Sequence, residues 1–174
     1  MSVMKILVEP NKILRQKSLK VDVVNKDIQK LMDDMLETMY AAPGIGLAAI
    51  QVGVPKRVIV LDISQKEWKK NPMFFINPEI FEKSSNKSTY EEGCLSVPGQ
   101  FAEISRPDKC YVKYLDYNGN QIELKAQGML ATCIQHEMDH LEGILFIDYL
   151  SKLKKSMIVK KLSKQKKALE RIVV

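Results

Sequence analysis

The chain contains only two histidines, and they stand four residues apart in Gln135-His136-Glu137-Met138-Asp139-His140. Four residues of α-helix turn about 400° and rise about 6 Å, so both imidazoles face one side and can share one metal ion. Glu137, directly after the first histidine, lies near enough to act as general base on water at such an ion. The pattern therefore demands a helix through this stretch. Two buried, hydrogen-bonded core histidines are the structural alternative, but that use does not require the pair to coincide with an adjacent carboxylate.

A catalytic metal takes three protein ligands and keeps one position open. No third histidine exists to fill the longer metalloprotease pattern, Glu142 faces away from the pair, and Glu170 lies in a basic tail. That leaves the three cysteines, Cys94, Cys110 and Cys133. Cys133 precedes His136 by three residues and shares its helix face, yet it also suits a small core position. Cys94 sits in Glu91-Glu92-Gly93-Cys94-Leu95-Ser96-Val97-Pro98-Gly99, a shaped loop or strand end in which Gly93 and Pro98-Gly99 direct the backbone. Cys110 reads as core. Spacing alone leaves Cys94 and Cys133 both open. An odd cysteine count, an N-terminus (Met1–Pro10) without an apolar or transit pattern, and no apolar run of about 18–20 residues predict a reducing, cytoplasmic setting without a membrane span.

Along the chain, Ile28, Leu31, Met32, Met35, Leu36 and Met39 mark one stripe of an amphipathic helix that Pro43-Gly44 ends. Val58–Ile63 and Met73–Asn77 read as strands, 82–89 as a polar loop, and Asn118-Gly119-Asn120 as the turn of a hairpin between Tyr111–Tyr117 and Gln121–Lys125. Gly128 opens a mostly buried helix over 129–141. A last helix, 151–171, places Leu153, Met157, Leu162 and Leu169 along one side. Without βαβ alternation, the expected class is α+β, with mixed or antiparallel strands packed around the central His-Glu-x-x-His helix and a C-terminal helix.

The formal net charge of +6 is unevenly distributed. Residues 151–174 carry nine basic side chains and one acid, whereas 1–150 carry 18 basic and 20 acidic ones. This predicts one catalytic unit over 1–150 and a basic helical extension of it over 151–174. A charge run of that kind fits either a solvated helix face or an anionic docking partner.

Three separated motifs resemble those of the peptide deformylases: Gly44-Ile45-Gly46-Leu47-Ala48-Ala49-Ile50-Gln51, Glu92-Gly93-Cys94-Leu95-Ser96, and Gln135 to His140. They follow the family's order, and the likeness spans nearly the whole chain. Thr132 is more polar than the aliphatic residue expected there. The resemblance implies that Cys94, His136 and His140 hold one divalent metal, with Fe2+ in the cell and Zn2+, Ni2+ or Co2+ as substitutes. It assigns Glu137 as acid/base and places Gln51, the Leu95 backbone and Gly46 at the substrate. It puts Ile45, Tyr90, Met129 and Cys133 around a methionine side chain. Glu92 would orient a ligand imidazole beside Arg106, and Asp139 would make a structural polar contact. The implied reaction removes the N-formyl group from formyl-methionine on new polypeptides, releasing formate. The chain would act as a monomer, and its basic tail would meet the ribosome.

Two other readings compete. One is a different metallohydrolase, such as a small aminopeptidase. The second is an RNA-binding module with a structural zinc; it lacks a CxxC pair, and its one tryptophan, Trp68, offers little for base stacking.

Overall fold

A computed structural model of the chain describes residues 2–64 and 69–173; Trp68 lies outside them. Strand β1 (Gly46–Ala48) follows helix α1 (Lys26–Ala41). Next come β2 (Val58–Leu61), β3 (Met73–Lys83), β4 (Lys87–Cys94), β5 (Val97–Pro107), β6 (Lys109–Leu115) and β7 (Gln121–Gln127). Helix α2 (Gly128–Leu141) and, after a 3-10 turn at Phe146–Tyr149, helix α3 (Lys152–Val173) complete the order. The strands form a five-stranded sheet, β1-β2-β3-β6-β7, and a separate pair, β4-β5. Every pairing within them is antiparallel. This bears out the expected α+β class.

Period-two alternation explains why the sheet can be covered on both faces. Along β2, Val58 and Val60 pack with Met32, Met35 and Met39 of α1, while Ile59 and Leu61 pack with Ala131, Cys133 and Ile134 of α2. All four β2 side chains are buried, so a short strand serves two cores at once. Each such large apolar side chain contributes roughly 1.5–3 kcal/mol when fully buried. Asn25 caps α1 by accepting from the Ile28 N–H at 3.1 Å. A third cluster joins Val97 and Ile104 of β5 to Phe146, Ile147 and Leu162.

The segment expected to be a polar loop at 82–89 is mostly strand. β3 runs to Lys83 and β4 begins at Lys87, leaving only 84–86 as the turn. Its side chains are largely solvent-facing, so no apolar alternation announces the pairing. Likewise β3 continues well past Asn77, and β5 emerges where only a strand end was legible.

On α3 the packed side differs from the expected one. Leu162 is 2% exposed and Ile158 and Val159 pack beside it, whereas Leu153 is 72% and Met157 62% exposed. Leu169 also faces outward. The β-branched pair Ile158-Val159, rather than the Leu153–Met157 spacing, marks the inner face.

After α2 the chain reverses at Gly143 (φ 74°), where a Cβ would collide with the carbonyl oxygen of Arg15. Arg15 in turn reaches Asp148 at 2.6 Å and Glu9 at 3.3 Å, tying the N-terminal segment to the 3-10 turn that precedes α3. Among the described residues no helix is long and apolar enough to cross a membrane.

Candidate metal centre

Helix α2 presents Met129, Thr132, Cys133, His136 and Glu137 along the wall of one cavity, with His136, Glu137 and His140 all buried. Strand β4 brings Glu92, Gly93 and Cys94 to the same place. Its register against β5 shifts between Glu92 and Cys94, and Leu95-Ser96 then forms the turn to Val97. Such an irregularity re-aims side chains at a strand end. Cys94 Sγ lies 3.3 Å from His140 Nε2, and one ligand atom from each of Cys94, His136 and His140 falls within 4.8 Å of the others. Cys94, not Cys133, joins the two histidines in this cluster, brought there by the β4–β5 hairpin.

The chemistry around the trio fits a divalent cation. His136 Nδ1 stands 2.8 Å from Glu92 Oε1, which leaves Nε2 for a ligand. Buried His140 Nδ1 and Glu137 Oε2 have no hydrogen-bond partner among the described residues. Burial opposes a charge on His136, but hydrogen bonds with Cys94 and Glu92 outweigh it and raise its basicity well above the ordinary value. Burial, with repulsion from His136 and Arg106, depresses His140. One sulfur and two imidazoles suit Fe(II) or Zn(II).

Glu137 Oε1 is 4.0 Å from His136 Nε2. Burial pushes its carboxyl up to about 7, with His136 opposing that rise. A Cβ on Gly46 would stand 2.6 Å from Glu137 Oε1, so the close approach that this glycine permits is that of the carboxylate itself. Gln51 is locked: its Oε1 accepts from the Ala48 N–H at 2.9 Å, and its Nε2 faces Ser96 Oγ at 3.1 Å and Cys94 Sγ at 3.6 Å.

The cavity measures about 560 Å³. Ile45 and Met129 stand at its exposed rim, Tyr90 and Leu95 are half-buried, and Cys133 is buried in the wall. Burial pushes the Cys133 thiol up to about 12, so it stays protonated and apolar in character.

The family model described as polypeptide deformylase matches residues 3–156. A peptide deformylase of Pelagibacter ubique is 69% identical over the full length of both chains. One of Maricaulis maris is 56% identical over 98% of each. The chain belongs to the polypeptide deformylase family. Its activity is metal-dependent hydrolysis of the N-formyl group from the formyl-methionine of newly made polypeptides, with release of formate. Among solved structures, the Ehrlichia chaffeensis peptide deformylase in complex with actinonin superposes with a TM-score of 0.89 at 49% identity, covering 95% of this chain and 98% of that one. The Legionella pneumophila peptide deformylase gives 0.89 at 42% identity, covering 98% and 99%.

In this deformylase the surroundings of the trio include groups that spacing could not reveal. Arg106, expected beside Glu92, is buried and donates to both oxygens of Glu92 at 2.7 and 2.9 Å and also to Asp139 Oδ2 at 2.8 Å. Those carboxylates raise the Arg106 pKa despite its burial. Ser96, behind Gln51, stood at the end of the Cys94 motif with no role assigned to it, and Tyr149, whose hydroxyl donates to Asp139 at 2.7 Å, was not singled out by any sequence signal. Only its nearness to the His140 motif could have flagged Tyr149.

Proposed function

We propose that Cys94, His136 and His140 hold the metal of this deformylase and that Glu137 moves the proton. The convergence of those three ligand atoms within 4.8 Å, beside a buried carboxylate and at the wall of an open cavity, carries the reading. When bound, the ion supplies Lewis-acid polarisation of the formyl carbonyl and makes water more acidic. Glu137 accepts the proton of the attacking water and returns it to the amine nitrogen as the C–N bond breaks, leaving formate and a free N-terminus. The Gln51 amide and the Leu95 backbone N–H donate to the oxygen that becomes negative. Losing one such donor costs about 3–4 kcal/mol. Gly46 keeps β1 close to Glu137 and to the substrate backbone.

The methionine side chain enters between Ile45, Tyr90, Met129 and Cys133. Glu92 fixes the His136 tautomer, and Arg106 holds Glu92. Fe2+ is the metal in the cell, and Zn2+, Ni2+ or Co2+ can substitute. The cavity of this chain would take actinonin, the compound with which the Ehrlichia relative forms a complex. The chain works in the cytoplasm as a monomer, with residues 1–150 as the catalytic unit and 151–174 as its basic extension. That extension meets ribosomal RNA, so ribosome co-sedimentation that does not weaken with added salt would remove this part of the proposal.

Glu137→Gln tests the core assignment. Deformylation of a formyl-Met peptide falls by about 10²–10⁴-fold while stoichiometric metal stays bound. Near-full activity in that variant rules Glu137 out as the proton carrier.

A further inference from the structure

We infer that Tyr149 is a positioning residue for His136: its phenol anchors the far end of a hydrogen-bonded chain that fixes the imidazole, and thereby sets how firmly the site retains its cation. The inference rests on the reading that His136 is a metal ligand. The chain can be followed atom by atom. Tyr149 Oη donates to Asp139 Oδ2 at 2.7 Å. Arg106 Nη1 donates to that same oxygen at 2.8 Å, and its Nε and Nη2 grip Glu92 at 2.7 and 2.9 Å. Glu92 Oε1 meets His136 Nδ1 at 2.8 Å. The Tyr149 ring also lies beneath the Arg106 guanidinium, 5.0 Å from its centroid.

Packing does not account for Tyr149 being held there, because the residue is 53% exposed. Its backbone is nonetheless rigidly based. It ends the 3-10 turn Phe146–Tyr149, whose Phe146 and Ile147 are buried and whose Asp148 is paired with Arg15. The same turn reaches His136 by a second route: the Phe146 ring stacks with the imidazole at 6.2 Å, tilted by 26°. One short turn therefore touches the ligand ring through an aromatic face and through a polar chain.

Asp139 is the weak link of that chain. It is the most exposed member between Tyr149 and His136, and its Oδ2 is shared by two donors. Without the phenol it can turn toward water, and Arg106 then keeps only Glu92 as a fixed partner. A guanidinium with one anchor holds Glu92 less well, and Glu92 is the group that orients His136.

The test uses the full chain loaded with Co2+ and challenged with excess chelator, with visible absorption following the loss of the ion. Wild type, Tyr149→Phe and Tyr149→Ala are compared, with melting of the metal-free forms as a folding control. The phenylalanine variant keeps the ring over Arg106 and lacks only the hydroxyl. It is expected to lose cobalt roughly 3- to 10-fold faster than wild type, at unchanged metal-free melting temperature; removing a group nearer the metal costs about 10–100-fold. The alanine variant loses it at least as fast. If Tyr149→Phe retains cobalt as wild type does, the inference is overturned, whatever the alanine variant shows. A wild-type chain that takes up no cobalt overturns the ligand assignment, and this inference with it.

Discussion

Helix α2 turns most of its fourteen residues inward, whereas the twenty-two of α3 face mainly water. On α2 the buried side chains include two histidines, Glu137, Thr132 and Gln135; the histidines and Glu137 gather at the cavity, and Gln135 donates to the Pro107 and Ala131 carbonyls. On α3 one leucine is fully buried, and most of the cations of 151–174 stand free of the body. The two helices show that charge counts for different things at different depths. The +6 of the whole chain comes from α3, yet the candidate metal cluster and its few charged neighbours sit around α2. At the surface a lysine is screened and nearly free to move. Inside, each charge must be matched, and the matching fixes geometry.

The largest effect that would sharpen this contrast is expected at Arg106. Arg106→Ala leaves Glu92 buried without its cation, and breaking a buried pair in this way costs about 3–5 kcal/mol. Urea unfolding of the full chain measures it, and a loss below about 1 kcal/mol would break the comparison at its strongest point.

On α3 the inner and outer leucine-class positions should separate cleanly. Leu162→Ala empties a site in the third cluster and costs about 2–3 kcal/mol, while Met157→Ala at 62% exposure changes stability by about 0.5 kcal/mol or less. Equal effects at the two positions would mean that α3 packs by its other face.

The smallest expected effect lies in the 3-10 turn between the two helices. Burial works against the Asp148 carboxylate, but hydrogen bonds from Arg15, Lys155 and the Leu145 backbone prevail and hold it below the usual range. A lowered folded-state pKa means that the stabilisation is complete above the unfolded value of about 3.9 and is lost as pH falls through the folded one. Wild type should therefore melt above Asp148→Asn at pH 6, and the gap should close as pH drops below about 4. A gap that persists unchanged at pH 3 would show that the carboxylate charge is not its source.

How much of this was legible in the sequence follows from how local each feature is. The α2 helix, its two imidazoles and the α1 stripe depend on neighbours three and four residues away, and the chain carries those directly. The proposed third ligand depends on where the β4–β5 hairpin delivers Cys94, which no spacing within α2 could settle. Arg106 was placed beside Glu92 by the resemblance, but its burial and its bond to Asp139 were not legible, because its partners lie 14 and 33 residues away. Strand pairing around 84–86 stayed hidden for a related reason: side chains that meet solvent leave no apolar rhythm. On α3 the apolar residues sit on both faces, so their spacing suggested a stripe that only contact with Phe146 and Ile147 could locate.

Gly143 has a consequence for anyone who would move this site into another protein. The reversal after α2 brings the backbone against the Arg15 carbonyl, where no side chain fits. Grafting His136 through His140 onto a foreign helix would carry the ligands and leave behind the corner that returns the chain to Phe146 and Tyr149. The portable unit is not a five-residue motif. It runs from His136 to Tyr149, together with the hairpin that supplies Cys94 and Glu92 and the N-terminal segment against which the corner is seated.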